Sequence, residues 1–346
     1  LSDAAQVGWK DPPAEGGQGK RFVPAVFFLS AAALANEIFL IRLLSFRFWP
    51  HFVPLIVSQA MLGFGAAGVV LQAARRRVER APNRIFAWTV LLAAPAFDLA
   101  YRASQFVAFD PFLLLWDPAA WPRFAAFFCT LAVPFFLSGY ATAIPFAFFG
   151  ARPGPVYAAA FAGSAAGALL ALPFFLVAPT ESLVRLPLAL GTAACILVLS
   201  DAPGRVRKGR AAALCASLLL LFLPPAEPRI SPYKDLAAAR KLPEAREIAS
   251  RYGISGDFRA VFAPGIHHAP GLSFRFAGEI PPQAVLFEDG EQRGTVPKGS
   301  GPTLPAYLGY FPSVLPYRLL ERPRVLQFGL RGTEGVLTAA SHGASS

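Results

Sequence analysis

Phe22-Val-Pro-Ala-Val-Phe-Phe-Leu-Ser-Ala-Ala-Ala-Leu-Ala-Asn-Glu-Ile-Phe-Leu-Ile-Arg42 is the stretch on which the fold turns. A helix needs about 20 consecutive apolar residues to cross a ~30 Å hydrocarbon core, and this run supplies them. Comparable runs follow at roughly 52–74, 85–107, 124–149, 155–178, 183–200 and 211–224. The last holds about 15 apolar residues, short of the usual ~17, so the chain has six or seven spans. An interfacial or re-entrant last segment, the preferred reading, leaves six, whereas seven would place the C-terminal part outside. The whole chain agrees with a lipid solvent: 55% of residues are hydrophobic and only 15% charged, far from a soluble domain of this length.

The net charge of +11 is concentrated in short loops between apolar runs, with Arg76, Arg77, Arg80 and Arg84 in one and Arg205, Arg207, Lys208 and Arg210 in another. That is the positive-inside pattern; a nucleic-acid footprint would cluster on a soluble face, so nucleic acid is not an expected partner. Both loops and the N-terminus are predicted to face the cytoplasm of a bacterial-type inner membrane. Six spans then put the C-terminal part there too. Phe109–Trp121 carries two Asp-Pro breaks and two Trp and reads as an interfacial segment with aromatic anchors. Cys129, Cys195 and Cys215 lie inside apolar runs without disulfide or ligand spacing, as packing residues.

Small residues recur at helical spacing, Gly63, Gly65 and Gly68 in span two and Gly163 and Gly167 in span five, which suits close helix packing. Pro134, Pro145 and Pro173 are expected to kink their helices. Glu37 is the sharpest intramembrane feature, because a carboxylate in lipid is costly unless it is paired or used. Arg42, one turn on, offers structural pairing; proton or substrate handling is the alternative. Asp98 and Arg102 are spaced i to i+4 for an ion pair. Asn36 and Gln59 are candidates for interhelical hydrogen bonds.

The composition changes after the linker Pro224-Pro225-Ala-Glu-Pro228. The pattern predicts a helix over Leu236–Arg251 and strands at Asp257–Phe262, Leu272–Ala277 and Gln283–Glu288. The Asp289-Gly290 pair supplies the positive φ angles of a type I′ hairpin turn. A helix broken by Pro312 and Pro316 follows over Ala306–Leu320. Then come a short buried strand, Arg324–Phe328, the turn Gly329-Leu-Arg-Gly332-Thr-Glu-Gly335 and a helix start. Strand, Gly-rich turn and helix open a nucleotide-binding α/β domain, although Arg331 replaces the middle glycine of a G-x-G-x-x-G turn. His267 and His268 have no partner at metal-ligand spacing, and no metal is expected.

The chain is thus read as four pieces: a polar segment 1–21, a helical membrane domain 22–224, a linker and small β-rich domain 225–300, and the start of a Rossmann-like domain at 301–346. It begins without Met and stops about one helix into that last piece, as a fragment of a longer protein would.

Four segments together resemble the membrane-embedded branch of the polyamine aminopropyltransferase (spermidine synthase) family. They are Leu29–Ser45 with Glu37 and Arg42, Ser231-Pro-Tyr233-Lys234-Asp235, Phe287-Glu-Asp289-Gly290-Glu-Gln292, and Val325–Gly335. The resemblance implies transfer of an aminopropyl group from decarboxylated S-adenosylmethionine to a diamine such as putrescine, with no metal. Tyr233, Asp289 and Gln292 would line the substrate region, and Gly329, Gly332, Glu334 and Gly335 would hold the nucleoside. Two departures stand out: Lys234 replaces a glutamine where a cationic diamine would dock, and Arg331 sits in the turn. The acidic residues that hold ribose and take the amine proton are missing, so this polypeptide is expected to be inactive alone. The alternative from another class is a transporter or membrane scaffold with a degenerate nucleoside-binding tail. Lipid, a polyamine or related small amine, and a second copy of the chain are the partners the reading admits.

Overall fold

A computed structural model describes residues 19–148, 153–199, 204–298, 305–320, 323–329 and 332–344. Most of the polar segment 1–21, the turn residue Arg331 and the side chain of Arg205 lie outside the described residues. The chain divides into two compact units. One holds the residues up to Ser45 with Pro50–Pro228, the other Phe46–Trp49 with Arg229–Ser346.

The first unit is helical: α1 (Gly19–Arg47), α2 (Val53–Ala73), α3 (Arg75–Glu79), α4 (Pro82–Phe106), α5 (Ala120–Phe148), α6 (Pro153–Val177), α7 (Arg185–Leu199) and α8 (Gly204–Phe222). Six of these, α1, α2, α4, α5, α6 and α7, are long and apolar enough to cross a membrane. Prolines sit where helices tolerate them, opening α2 and α4. Pro95, Pro134, Pro145 and Pro173 lie inside helices that continue past them.

Burial separates two kinds of helix. α1 is central: Ala25, Val26 and Leu29 are fully buried and pack with Val90, Leu91, Ala94 and Cys195 of α4 and α7. Farther along, Phe39 meets Phe175 of α6 edge-on, with ring centroids 5.1 Å apart. α2 and α6 instead present large apolar side chains outward; Met61 is 71% and Val177 77% exposed. A continuous apolar exterior of this kind is unfavourable in water and natural in lipid.

Glycine lets some of these helices touch backbone to backbone. A Cβ on Gly163 would land on the carbonyl oxygen of Phe27, and one on Gly167 on that of Ala31, so α6 lies directly against α1. Gly63 of α2 fits against Phe135 of α5 in the same way. Gly65 and Gly68 meet nothing within 4 Å.

The segment expected to be interfacial or re-entrant is a helix, α8, that runs along the bundle. Near its start, Gly209 lies on Trp88 of α4 and the Arg210 guanidinium donates to the Val198 carbonyl of α7, at 3.2 Å. At its far end, Arg102 of α4 donates to the Pro224 carbonyl (2.8 Å) and Arg185 of α7 to that of Leu223 (3.3 Å). Its charged first turns lower its hydropathy, and it is not among the six helices long and apolar enough to cross a membrane.

The second unit contains a four-stranded antiparallel meander, β1 (Arg246–Tyr252), β2 (Asp257–Phe262), β3 (Gln283–Glu288) and β4 (Glu291–Pro297), in that spatial order. Strands β2 and β3 have the predicted limits. The hairpin tip is as expected, with φ of +49° at Asp289 and +78° at Gly290. Phe46 joins Leu236, Val261, Val285 and Phe287 in the core beneath the sheet.

Three expectations fail in this unit. The helix over Leu236–Arg251 shrinks to α9 (Asp235–Ala239), because Pro243 interrupts it and the rest pairs with β2 as an edge strand. Leu272–Ala277 is irregular, with Phe274 fully exposed. Arg324–Phe328 is not a buried strand: Leu326 and Phe328 are 79% and 85% exposed. A parallel strand of that kind is buried by strands and helices on both sides, and this segment is not part of the β1–β4 sheet. The broken helix resolves into two short 3-10 turns, Ala306–Tyr310 and Pro312–Val314, then α10 (Leu315–Leu319) and, after the Gly-rich turn, α11 (Glu334–Ser341).

Candidate functional site

In the helical unit, one face each of α1, α2, α5 and α6 encloses a cavity of about 550 Å³. Ser30, Ala33, Leu34 and Glu37 recur at i, i+3, i+4 and i+7 on α1, a single helical stripe. Ser138 and Thr142 of α5 and Ser164 of α6 add hydroxyls, and the rest of the wall is apolar. Glu37 is therefore half-buried against a cavity, and no ion pair to it forms among the described residues. Arg42 instead places its guanidinium over the Phe175 ring, 5.0 Å from the centroid. Ser138 Oγ is buried with no hydrogen-bond partner, as are Asn36 Nδ2 and Gln59 Oε1, from which interhelical bonds were expected. Asp98 and Arg102 form the expected i,i+4 ion pair, with Asp98 almost fully buried.

In the second unit the residues singled out in the sequence part company. Gln292 and Asp235 come together: the Gln292 N–H donates to Asp235 Oδ2 at 2.9 Å, and both line a cleft of about 320 Å³ with His267 and His268. Tyr233 is 60% exposed and does not line the cleft. The Asp289 carboxylate accepts the Asp257 N–H at 2.9 Å and so serves the turn.

Lys234 reads in the sequence as a cation misplaced at a diamine site, but it points inward. It is 1% exposed. Its Nζ donates to the Asp289 carbonyl at 2.7 Å, pairs with Glu291 at 3.0 Å and lies over the Trp49 ring. Burial pulls its pKa down, and Glu291 opposes that only in part. The unfolded chain therefore holds this proton more tightly, and stability should rise with pH from the depressed value up to the ordinary lysine range near about 10.4. Lys234→Ala should abolish that rise and cost about 2–4 kcal/mol in chemical denaturation of the full chain. Most of the loss would come from the cavity and the stranded Asp289 carbonyl, since Glu291 keeps contact with solvent.

The Gly-rich turn is tied to the sheet. A Cβ on Gly332, whose φ is +97°, would meet the Thr295 backbone at 2.7 Å. The Thr333 N–H donates to the Thr295 carbonyl (3.1 Å), and Thr295 Oγ1 donates to Glu334 (2.7 Å). Gly335 packs on the Gln327 side chain. Gly329, with φ of +68° and open space around it, alone of the four leaves its backbone clear.

The cavity hydroxyls were overlooked in the sequence. Their signal was present, since Ser30 and Glu37, and likewise Ser138 and Thr142, share helical faces. Among the described residues no group of three His, Cys, Asp or Glu side chains is placed to hold a metal ion. No family model matches the chain, and no match was found among curated proteins or solved structures.

Proposed function

We propose that the chain is the front of a membrane-bound aminopropyltransferase-like protein, whose parent enzyme moves an aminopropyl group from decarboxylated S-adenosylmethionine to a polyamine-type acceptor. The observation carrying this reading is the order of elements in the second unit. A meander closed by the Asp289-Gly290 turn leads to a Gly-rich turn that feeds α11, with Glu334 in its first turn. In this reading a Rossmann-like domain opens at Gly329 and the nucleoside approaches its free backbone. The acceptor amine lies near Gln292 and Tyr233, and the carboxylate that takes its proton belongs to the parent enzyme outside this chain. The inward turn of Lys234 removes the charge that would have repelled it.

Titration calorimetry of the full chain in detergent with decarboxylated S-adenosylmethionine, and with methylthioadenosine, tests the reading. Saturating heat with both ligands, lost in Gly329→Val, is expected; no heat with either overturns it.

The path of α8 favours a second reading. With the arginine loops in the cytoplasm of a bacterial-type inner membrane, a seventh crossing delivers Pro228 to the opposite side. A nucleoside made in the cytoplasm is then out of reach. A transporter or scaffold with a degenerate tail has no such difficulty. Uptake of putrescine into sealed vesicles bearing the full chain would favour it.

A further inference from the structure

We infer that the cavity around Glu37 is a binding site for an organic ammonium ion, a monocation with an apolar body, whichever reading of the second unit holds. The cavity and such a ligand are complementary in charge and in apolar surface. A single carboxylate on a wall whose other polar groups are neutral hydroxyls matches one positive charge. A second ammonium, as in a diamine, would meet hydroxyls, Phe and Ala but no counter-charge.

The remaining walls suit the remainder of such a ligand. Phe64, Phe146 and Phe161 line the cavity, and aromatic rings attract cations over their faces and pack against hydrocarbon. Ser138 Oγ, 1% exposed and without a partner, faces the same space and accepts an ammonium N–H. A volume of about 550 Å³ is far larger than a bare ion requires and lies in the range of small-molecule pockets. Gly68 and Phe161 are exposed residues of the lining, so the ligand enters from the lipid side, which an apolar body allows.

Equilibrium binding of 2-phenylethylamine at neutral pH, to the purified full chain in detergent, tests this against two probes: neutral 2-phenylethanol and the dication putrescine. The amine should bind saturably, and at least tenfold tighter than either probe. Glu37→Gln should weaken it tenfold or more, and Ser138→Ala about threefold. Glu79→Gln, at an exposed ion pair with Arg75, should leave it unchanged. Gly68→Leu guards against a misfolded Glu37 variant. A Cβ there meets nothing within 4 Å, so the backbone accepts a side chain at this lining position, and a leucine there should also abolish binding by taking up cavity space. Equal affinity for 2-phenylethanol, or for putrescine, overturns the assignment. So does amine binding that survives both Glu37→Gln and Gly68→Leu.

Discussion

A cysteine placed at Glu227 will react with a membrane-impermeant maleimide from one face of the membrane only, and a cysteine at Arg80 from the other. Both positions are exposed. The native thiols must first be replaced; Cys195 is buried, but Cys129 and Cys215 are exposed. The expectation rests on three helices in register. From Arg210 to Leu223, α8 covers about 20 Å at 1.5 Å per residue. The stretch of α4 from Trp88 to Arg102, and that of α7 from Val198 back to Arg185, have about the same length. The hydrogen bonds of Arg210, Arg102 and Arg185 fasten the matching ends. α8 therefore finishes at the end of the bundle away from Arg75–Arg80. Labelling of both cysteines from one side would restore six crossings and the cytoplasmic placement expected from the sequence.

Gly167→Leu should destabilise the helical unit by about 3 kcal/mol or prevent its assembly. Its new Cβ would occupy the place of the Ala31 carbonyl oxygen, and backbone on a central helix has nowhere to yield. Gly65→Leu is the control: a Cβ there meets nothing within 4 Å. It should be neutral or gain up to about 1 kcal/mol from better helix propensity. Thermal melting followed by fluorescence-detected size exclusion separates the two. Equal melting temperatures would mean that α6 does not rest on α1 through these glycines.

The same pair shows what the sequence disclosed and what it withheld. Both glycine clusters have small-residue spacing, and spacing alone does not tell which one meets a neighbour. Six spans were legible because each carries its own apolar length. The path of α8 along the bundle was not, because it depends on partners from α4 and α7. Asp289-Gly290 announced its turn through local backbone chemistry. Strand β1 was hidden because Arg246–Tyr252 is almost entirely exposed and has no alternating burial; only pairing with β2 makes it a strand. The Glu37 cavity assembles from four helices, each contributing a stripe too short to stand out. Lys234 was visible only as a misfit, since its partners Asp289 and Glu291 lie far along the chain.

The fastening of α8 by Arg102 and Arg185 bears on how the protein is made. A helix with so many cations in its opening turns partitions poorly into lipid by itself, so its place along the bundle would depend on α4 and α7 being there to receive it. Breaking the Asp98–Arg102 pair would then leave newly made chains with an unanchored final segment, exposed to quality-control proteases while the earlier helices stay embedded.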